Sequence, residues 1–379
     1  MAETKHSQPP AEHWHQLAVS AARVRNYEAA LELMGRAIEA NPLDATAFND
    51  RGIVLKALRR FGDSKASFER AIALLPRYAA AHSNLGNLLR EMRQEEAAFL
   101  SYQRALQADP ACADAHANFG VLLGDLARWE ESIAHFDEAL IRKPGDAHLL
   151  CNRGVALERL GNLDEALVSY DRALVCAPDF DRVHANRGNV LIQLRRLDEA
   201  VQSSRRAIAL SPELAAAHQN LGLVLLTLGR LEEGWQEYEW RLKAAADASS
   251  RAREFQAARF TGIEELNGRT IFIHSEQGLG DTLQFARYAA ELSARGAHVI
   301  LEVPAPLRTL FGCVAGVRVI AKGEPVPEFD LQCPLMSLPL AFGTTLSSIP
   351  SQVPYLRADG ERVKVWGERL GEKRKPRVG

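Results

Sequence analysis

Eight consecutive residues in the C-terminal third of the chain, His274-Ser-Glu-Gln-Gly-Leu-Gly-Asp281, hold most of the side chains with chemical potential. A glycine-bearing loop between a strand and a helix exposes backbone N–H groups, and such loops bind anions and nucleotides. Gln277, Gly278 and Gly280 are therefore candidates for an acceptor or anion loop. The dinucleotide fingerprint is incomplete, because its third glycine would fall at position 283, which is Leu283. His274, Glu276 and Asp281 are the clustered metal-ligand types, and no second set follows at metal spacing, so no metal and no cofactor are expected. Asp281 also stands where an aspartate caps a helix.

A second set of polar side chains recurs at a fixed interval. Gln16, Asp50, Asn84, Asn118, Asn152, Asn186 and Asn220 are each 34 residues apart. An asparagine amide carries donors and an acceptor, so a row of them can pair with the N–H and C=O groups of an extended peptide. The same row can equally bond within its own array. His82, His116, His184 and His218 share the interval, and that separation puts them too far apart for shared metal coordination, which leaves packing or solvated contacts. Arg51, Arg153 and Arg187 occupy otherwise apolar positions, where their stems can pack while the heads reach solvent or a ligand.

The interval defines the elements that carry these rows. Pro42, Pro76, Pro110, Pro144, Pro178 and Pro212 lie on one 34-residue lattice, which marks a solenoid. Gly52, Gly86, Gly120, Gly154, Gly188 and Gly222 form a second row, and Ala37, Ala71, Ala105, Ala139, Ala173 and Ala207 a third. A bulky row reads Met34, Phe68, Tyr102, Phe136, Tyr170 and Tyr238, broken by Ser204. Each unit is two helices by period, such as 80–92 and 96–108, and small residues let them approach while Leu85, Leu89 and Tyr102 fill the space between. Proline ends the second helix. The last unit departs, with Gly234 and Arg241 on small-residue positions and Trp235 and Trp240 added, so Trp235, Tyr238 and Trp240 are expected to pack on the C-terminal part of the chain.

Beyond Leu242 the lattice stops. Strands at Thr270–His274, His298–Val303, Val317–Ala321 and Phe329–Cys333 alternate with helical segments at Asp281–Arg295 and Pro304–Cys313, which predicts a parallel, doubly wound sheet. The segment Lys375–Gly379 reads as the start of another strand.

Composition bounds the function. Lys and Arg number 46 and Asp and Glu 48, a net charge of −2, which argues against nucleic-acid binding through bulk positive charge. No apolar run approaches the ~18 residues of a membrane span. The first ten residues are polar and lack the apolar stretch of a secretory signal. Cys112, Cys151, Cys176, Cys313 and Cys333 are scattered without a C-x-x-C pair, so a reducing, cytoplasmic setting is expected.

The proline, glycine, alanine and aromatic rows resemble the tetratricopeptide repeat (TPR) family over about residues 11–245, in seven units. The resemblance implies a mainly α fold, a right-handed superhelix whose groove is lined by the first helix of each hairpin. The asparagine row (Asn84, Asn118, Asn152, Asn186 and Asn220, with Asp50) is similar to the peptide-holding ladder of the O-linked N-acetylglucosamine transferase TPR domain. Chaperone-tail capture is not supported, because positions two and five of each unit hold a single Arg and no Lys. Residues 259–379 resemble the first half of a glycosyltransferase built of two Rossmann domains, close to the bacterial heptosyltransferase-like group. On that resemblance Gly280-Asp281 match the pair that opens the first helix, and Asp281 is the candidate general base facing an acceptor hydroxyl. The donor-binding half is missing, so the chain is expected either to be truncated or to bind partners without catalysis. The expected organisation is a disordered 1–10, a superhelix over 11–245, a linker over 246–258 and a Rossmann-like part over 259–379. The implied partner is a protein or peptide in the groove. A glycan or nucleotide-sugar is implied only if a second domain exists.

Overall fold

The computed structural model describes residues 10–243, 255–358 and 360–371. The expected disordered N-terminus, most of the expected linker and the expected strand at 375–379 lie outside the described residues. The chain divides into two compact units, Met1–Leu194 and Arg195–Gly379.

The described secondary structure of the first unit is all helical, joined by short turns. It comprises α1 (Ala11–Arg23), α2 (Tyr27–Ala40), α3 (Ala45–Ala57), α4 (Phe61–Leu74), α5 (Ala79–Glu91), α6 (Glu95–Ala108), α7 (Ala113–Asp125), α8 (Trp129–Arg142), α9 (Ala147–Arg159), α10 (Leu163–Cys176) and α11 (Asp181–Gln193). The glycine row has one physical cause. A Cβ on Gly52 would lie 2.5 Å from the Phe68 ring, and one on Gly86 would lie 2.7 Å from Tyr102. Gly120 meets Phe136 and Gly154 meets Tyr170 in the same way. Each aromatic ring of a second helix thus lies directly over the glycine of the first, with Phe68, Tyr102 and Tyr170 fully buried. Buried serines add a bond across the same seam, Ser64 Oγ donating to Gly52 O and Ser132 Oγ to Gly120 O, both at 2.7 Å. The turn inside each hairpin passes through the left-handed region, at Arg25, Arg59, Arg93, Ala127 and Gly161, where only the last suits it without steric penalty.

The second unit begins with three more repeat helices, α12 (Leu197–Leu210), α13 (Ala215–Thr227) and α14 (Leu231–Tyr238). A Cβ on Gly222 would lie 2.5 Å from the Tyr238 backbone nitrogen, so α13 and α14 approach backbone to backbone. Five parallel strands follow: β1 (Ala258–Arg259), β2 (Thr270–His274), β3 (His298–Val303), β4 (Val317–Ala321) and β5 (Leu331–Pro334), in the order β1-β5-β2-β3-β4. Ile271 pairs with both Val299 and Leu331, so β2 has a parallel neighbour on each side.

Three sequence expectations shift here. The two-residue β1, at the edge of the expected linker, is too short to show alternation. The last strand lies at Leu331–Pro334 rather than Phe329–Cys333. The helix expected over Asp281–Arg295 is two helices, α15 (Leu279–Phe285) and α16 (Arg287–Ala294), with the break beside the Gln284 carbonyl that Arg287 Nε occupies at 2.9 Å. Helices α17 (Arg308–Phe311), α18 (Leu338–Ala341) and α19 (Gly360–Leu370) complete the described chain. One apolar core joins Ile271, Ile273, Leu292, Leu331 and Cys333 of the α/β part to Trp235 and Tyr238 of the last hairpin. Trp235 meets Phe285 edge to face at 5.7 Å. Trp240 departs from expectation and stacks on His218, with centroids 3.9 Å apart.

Candidate functional site

In the first unit the asparagine row is half-buried and follows a rule. Each member faces the side chain 35 residues earlier, one position before its counterpart in the preceding repeat. Asn84 Nδ2 donates to Asn49 Oδ1 at 2.9 Å, and Asn118 Nδ2 donates to Ser83 Oγ at 3.2 Å. Asn186 Nδ2 reaches Cys151 Sγ at 3.9 Å. Asp50 continues the rule with His15 Nε2 at 2.8 Å. For Asn152 the corresponding neighbour is Ala117, which has no polar group, and Asn152 makes no side-chain hydrogen bond among the described residues. The row is thus partly a set of inter-repeat clasps.

The histidines also have a structural partner. His82, His116 and His184 place Nε2 on the carbonyls of Pro76, Pro110 and Pro178, at 2.9, 3.0 and 2.8 Å. His218 does the same with Pro212 at 2.8 Å. The carbonyl must accept, so Nε2 carries the proton and ties each first helix to the turn before it. The arginine heads at 153 and 187, expected to reach solvent or a ligand, are occupied instead. Arg153 Nε donates to Asp137 at 2.6 Å and Arg187 Nε to Asp171 at 2.7 Å, each on the preceding second helix. The sequence showed the cations but not these acidic partners, which lie 16 residues back.

In the second unit the loop after β2 is held by groups that spacing along the sequence does not connect. Arg241 is 4% exposed, and its guanidinium grips Glu276, with Nε 3.1 Å from Oε2 and Nη2 3.0 Å from Oε1. Its Nη2 also reaches Ser337 Oγ at 2.7 Å and its Nη1 reaches Glu239 at 2.7 Å. Glu239 is shared with Arg259. Two cations and two carboxylates thus balance. Burial opposes the charge on Glu239, but Arg241 and Arg259 outweigh it and hold the carboxyl below its ordinary range. Arg241 therefore spans the loops that follow β2 and β5, the neighbouring strands at which the strand order reverses, where open parallel sheets bind ligands. One signal was available: a long cation on a lattice position otherwise held by alanine.

The remaining loop residues also have partners. Gln277 Nε2 donates to Tyr238 Oη at 3.2 Å. The Gly278 N–H, one of the amides expected to meet an anion, donates to Asp281 Oδ2 at 3.2 Å. Asp281 thus closes the first turn of α15 while lining a cavity of about 500 Å³ with Trp235 and Phe285. Gly280 is exposed, with open space around its Cα. His274 Nε2 faces Gln332 Oε1 at 3.1 Å. Among the described residues no group of three His, Cys, Asp or Glu comes together to hold a metal, and no helix is long and apolar enough to cross a membrane. Cys333 is fully buried, and burial pushes its thiol up to about 12, which makes it a core residue and not a nucleophile.

Comparison with known proteins agrees with the helical hairpins. Residues 15–57, 49–112 and 118–179 match the tetratricopeptide repeat family, and residues 188–229 match a second TPR model. The chain is a TPR protein over that span. Among solved structures, PilW, described as a type IV pilus biogenesis factor, is 18% identical with a TM-score of 0.51, covering 57% of this chain and 98% of its own. The APC/C hetero-tetramer Cut9–Hcn1 is 17% identical with a TM-score of 0.51, covering 57% of this chain and 43% of its own. YrrB, described as a TPR protein with an unusual peptide-binding site, is 22% identical with a TM-score of 0.42, covering 48% and 95%. At these identities the likeness is one of fold. No curated protein sequence matches the chain significantly.

Proposed function

We propose that the repeat array is a protein-interaction scaffold that holds an extended peptide segment against the asparagine row. The observation that carries this reading is Asn152, a half-buried amide in the middle of the row whose donors and acceptor make no side-chain hydrogen bond among the described residues. Asn118 and Asn186 flank it, each spending one donor on the preceding repeat and keeping a carbonyl oxygen for a ligand N–H. A phage-displayed random peptide library, selected on the full chain, tests this. Asn152→Ala should weaken the selected peptides by one hydrogen bond, about 0.5–1.5 kcal/mol, without lowering thermal stability. Asn118→Ala should lower both binding and stability, since it also breaks a clasp. Selected peptides that bind the Asn118/Asn152/Asn186→Ala variant as tightly as the parent would place the partner elsewhere.

The α/β part invites a second reading, a glycosyltransferase-like Rossmann half that binds partners without catalysis in this chain. Its all-parallel sheet, and the position of Asp281 on the first helix after β2, support it. The alternative is a piece of a TPR-containing glycosyltransferase with Asp281 as general base toward a protein or glycan acceptor. Incubating residues 1–379 with nucleotide-sugars should give no transfer. In a longer chain with a donor-binding domain, Asp281→Ala should lower turnover by about 10²–10⁴ if Asp281 is the base.

A further inference from the structure

Within the first unit, the last turns of the first helices carry a second inter-repeat rule, this one made of charges. A cation near the end of one first helix meets a carboxylate at the end of the next. Lys56 Nζ of α3 lies 3.8 Å from Glu91 Oε2 of α5, and Arg90 Nε of α5 lies 3.4 Å from Asp125 Oδ2 of α7. The rule then stops. Gly124 stands where the next cation would be, and one repeat further on Glu158 of α9 holds the cation position with the opposite sign. Its partner on α11 is Gln193, a neutral amide whose Nε2 is 3.3 Å from Glu158 Oε1. Asn189 Nδ2 donates to the same oxygen at 2.6 Å, and Tyr170 Oη donates to Oε2 at 3.1 Å. Three neutral donors hold the carboxylate, and no Lys, Arg or His forms an ion pair with it among the described residues.

Such a group has a fixed place and an uncancelled charge. Neutral donors orient Glu158 but leave its net charge in place. It is half-buried, so solvent screens it less than the exposed Arg159 beside it. It also lies in the last turn of α9, where the carbonyl end of the helix itself favours a cation and disfavours an anion. Asn152 lies on the same helix, about 9 Å away along the axis, a span that about three residues of an extended peptide cover. We propose that the groove selects basic peptides, with a Lys or Arg side chain of the bound segment meeting the Glu158 carboxylate while its backbone meets Asn152. This selectivity rests on the peptide-groove reading above and adds the chemistry of one side chain to it.

The test selects a phage-displayed random peptide library separately on the full-length parent and on Glu158→Gln. Glutamine keeps a carbonyl for Asn189 and Gln193 and offers an N–H to the Tyr170 hydroxyl, so the fold should hold. Peptides from the parent should carry a Lys or Arg at one recurrent position, and those from the variant should not. Replacing that residue by Gln in a synthetic copy of the leading parent peptide should weaken binding to the parent about tenfold, and to Glu158→Gln by less than about twofold, read by fluorescence anisotropy. Gln193→Lys supplies the missing cation from within the array and should erase the same preference, while Asn152→Ala still weakens the peptide. That variant decides the question if Glu158→Gln does not fold. Peptides that depend on Asn152 but share no basic position, or a basic preference that survives in both variants, would overturn this assignment and leave the groove reading intact. Selected peptides indifferent to Asn118/Asn152/Asn186→Ala would overturn both.

Discussion

The guanidinium of Arg241 holds the carboxylate of Glu276 through two bonds of 3.1 and 3.0 Å, in a site where the arginine is 4% exposed. This pair ties the segment just after α14 to the loop after β2. Removing one buried partner leaves the other charged and desolvated, whereas removing both does not. Arg241→Met is expected to destabilise the second unit by about 3–5 kcal/mol. Arg241→Met combined with Glu276→Leu should recover a large part of that loss, since Glu239 keeps Arg259. Hydrogen exchange of the β2 and β5 amides reads both effects, and equal losses in the single and double variants would contradict a paired cluster. The depressed carboxyl of Glu239 adds a pH dependence. Its contribution is present above the unfolded carboxyl range near pH 4.3 and should be lost as pH falls through the lower folded value.

Alanine in place of a mid-helix glycine ordinarily stabilises by up to about 1 kcal/mol. Gly154→Ala should reverse that sign, because the new methyl would lie 2.5 Å from the Tyr170 ring. Overpacking of this kind costs about 1–3 kcal/mol. Adding Tyr170→Leu should relieve the clash, giving a double-mutant coupling that denaturant unfolding can measure. Additive losses would mean that ring and glycine do not share the space.

His135 gives the hairpin of α7 and α8 a pH sensitivity. Burial, and then the neighbouring His116 at 2.9 Å between the two Nδ1 atoms, lower its pKa from 6.5, against the opposing pull of Glu131 and Glu138. The centroid of the Phe119 ring lies 4.6 Å from that of His135. A histidine with a depressed folded pKa takes up its proton more readily when unfolded. Stability from this group is therefore full above about pH 6.5 and falls as pH drops through the lower folded value. Amide protection factors over residues 113–142, corrected for the pH dependence of intrinsic exchange, should fall between pH 7.5 and 5.5 in the parent. His135→Gln should flatten that slope, and an unchanged slope in the variant would assign the sensitivity to other groups.

The local period of the chain determined the hairpins. Glycine and aromatic residues 16 apart, with a proline closing each unit, can be satisfied only by two helices in close contact, so Gly86 and Tyr102 already specify how α5 meets α6. The strands β2, β3 and β4 were legible for the same reason, as short apolar runs bounded by turns. Where the amides and charges of the array point was decided only by tertiary structure. The sequence presents Asn84, Asn118, Asn152 and Asn186 as equivalent, but their freedom depends on the residue facing each from the preceding repeat: Asn49, Ser83, Ala117 and Cys151 in turn. Likewise Arg153 and Arg187 carry the same charge as any exposed arginine until Asp137 and Asp171 are brought beside them. Arg241 is the extreme case, since its bond to Ser337 joins residues 96 apart that share no period. Periodicity encodes contacts between neighbours in a regular array. A contact between the array and a sheet has no repeat to record it, and it exists only once both have folded.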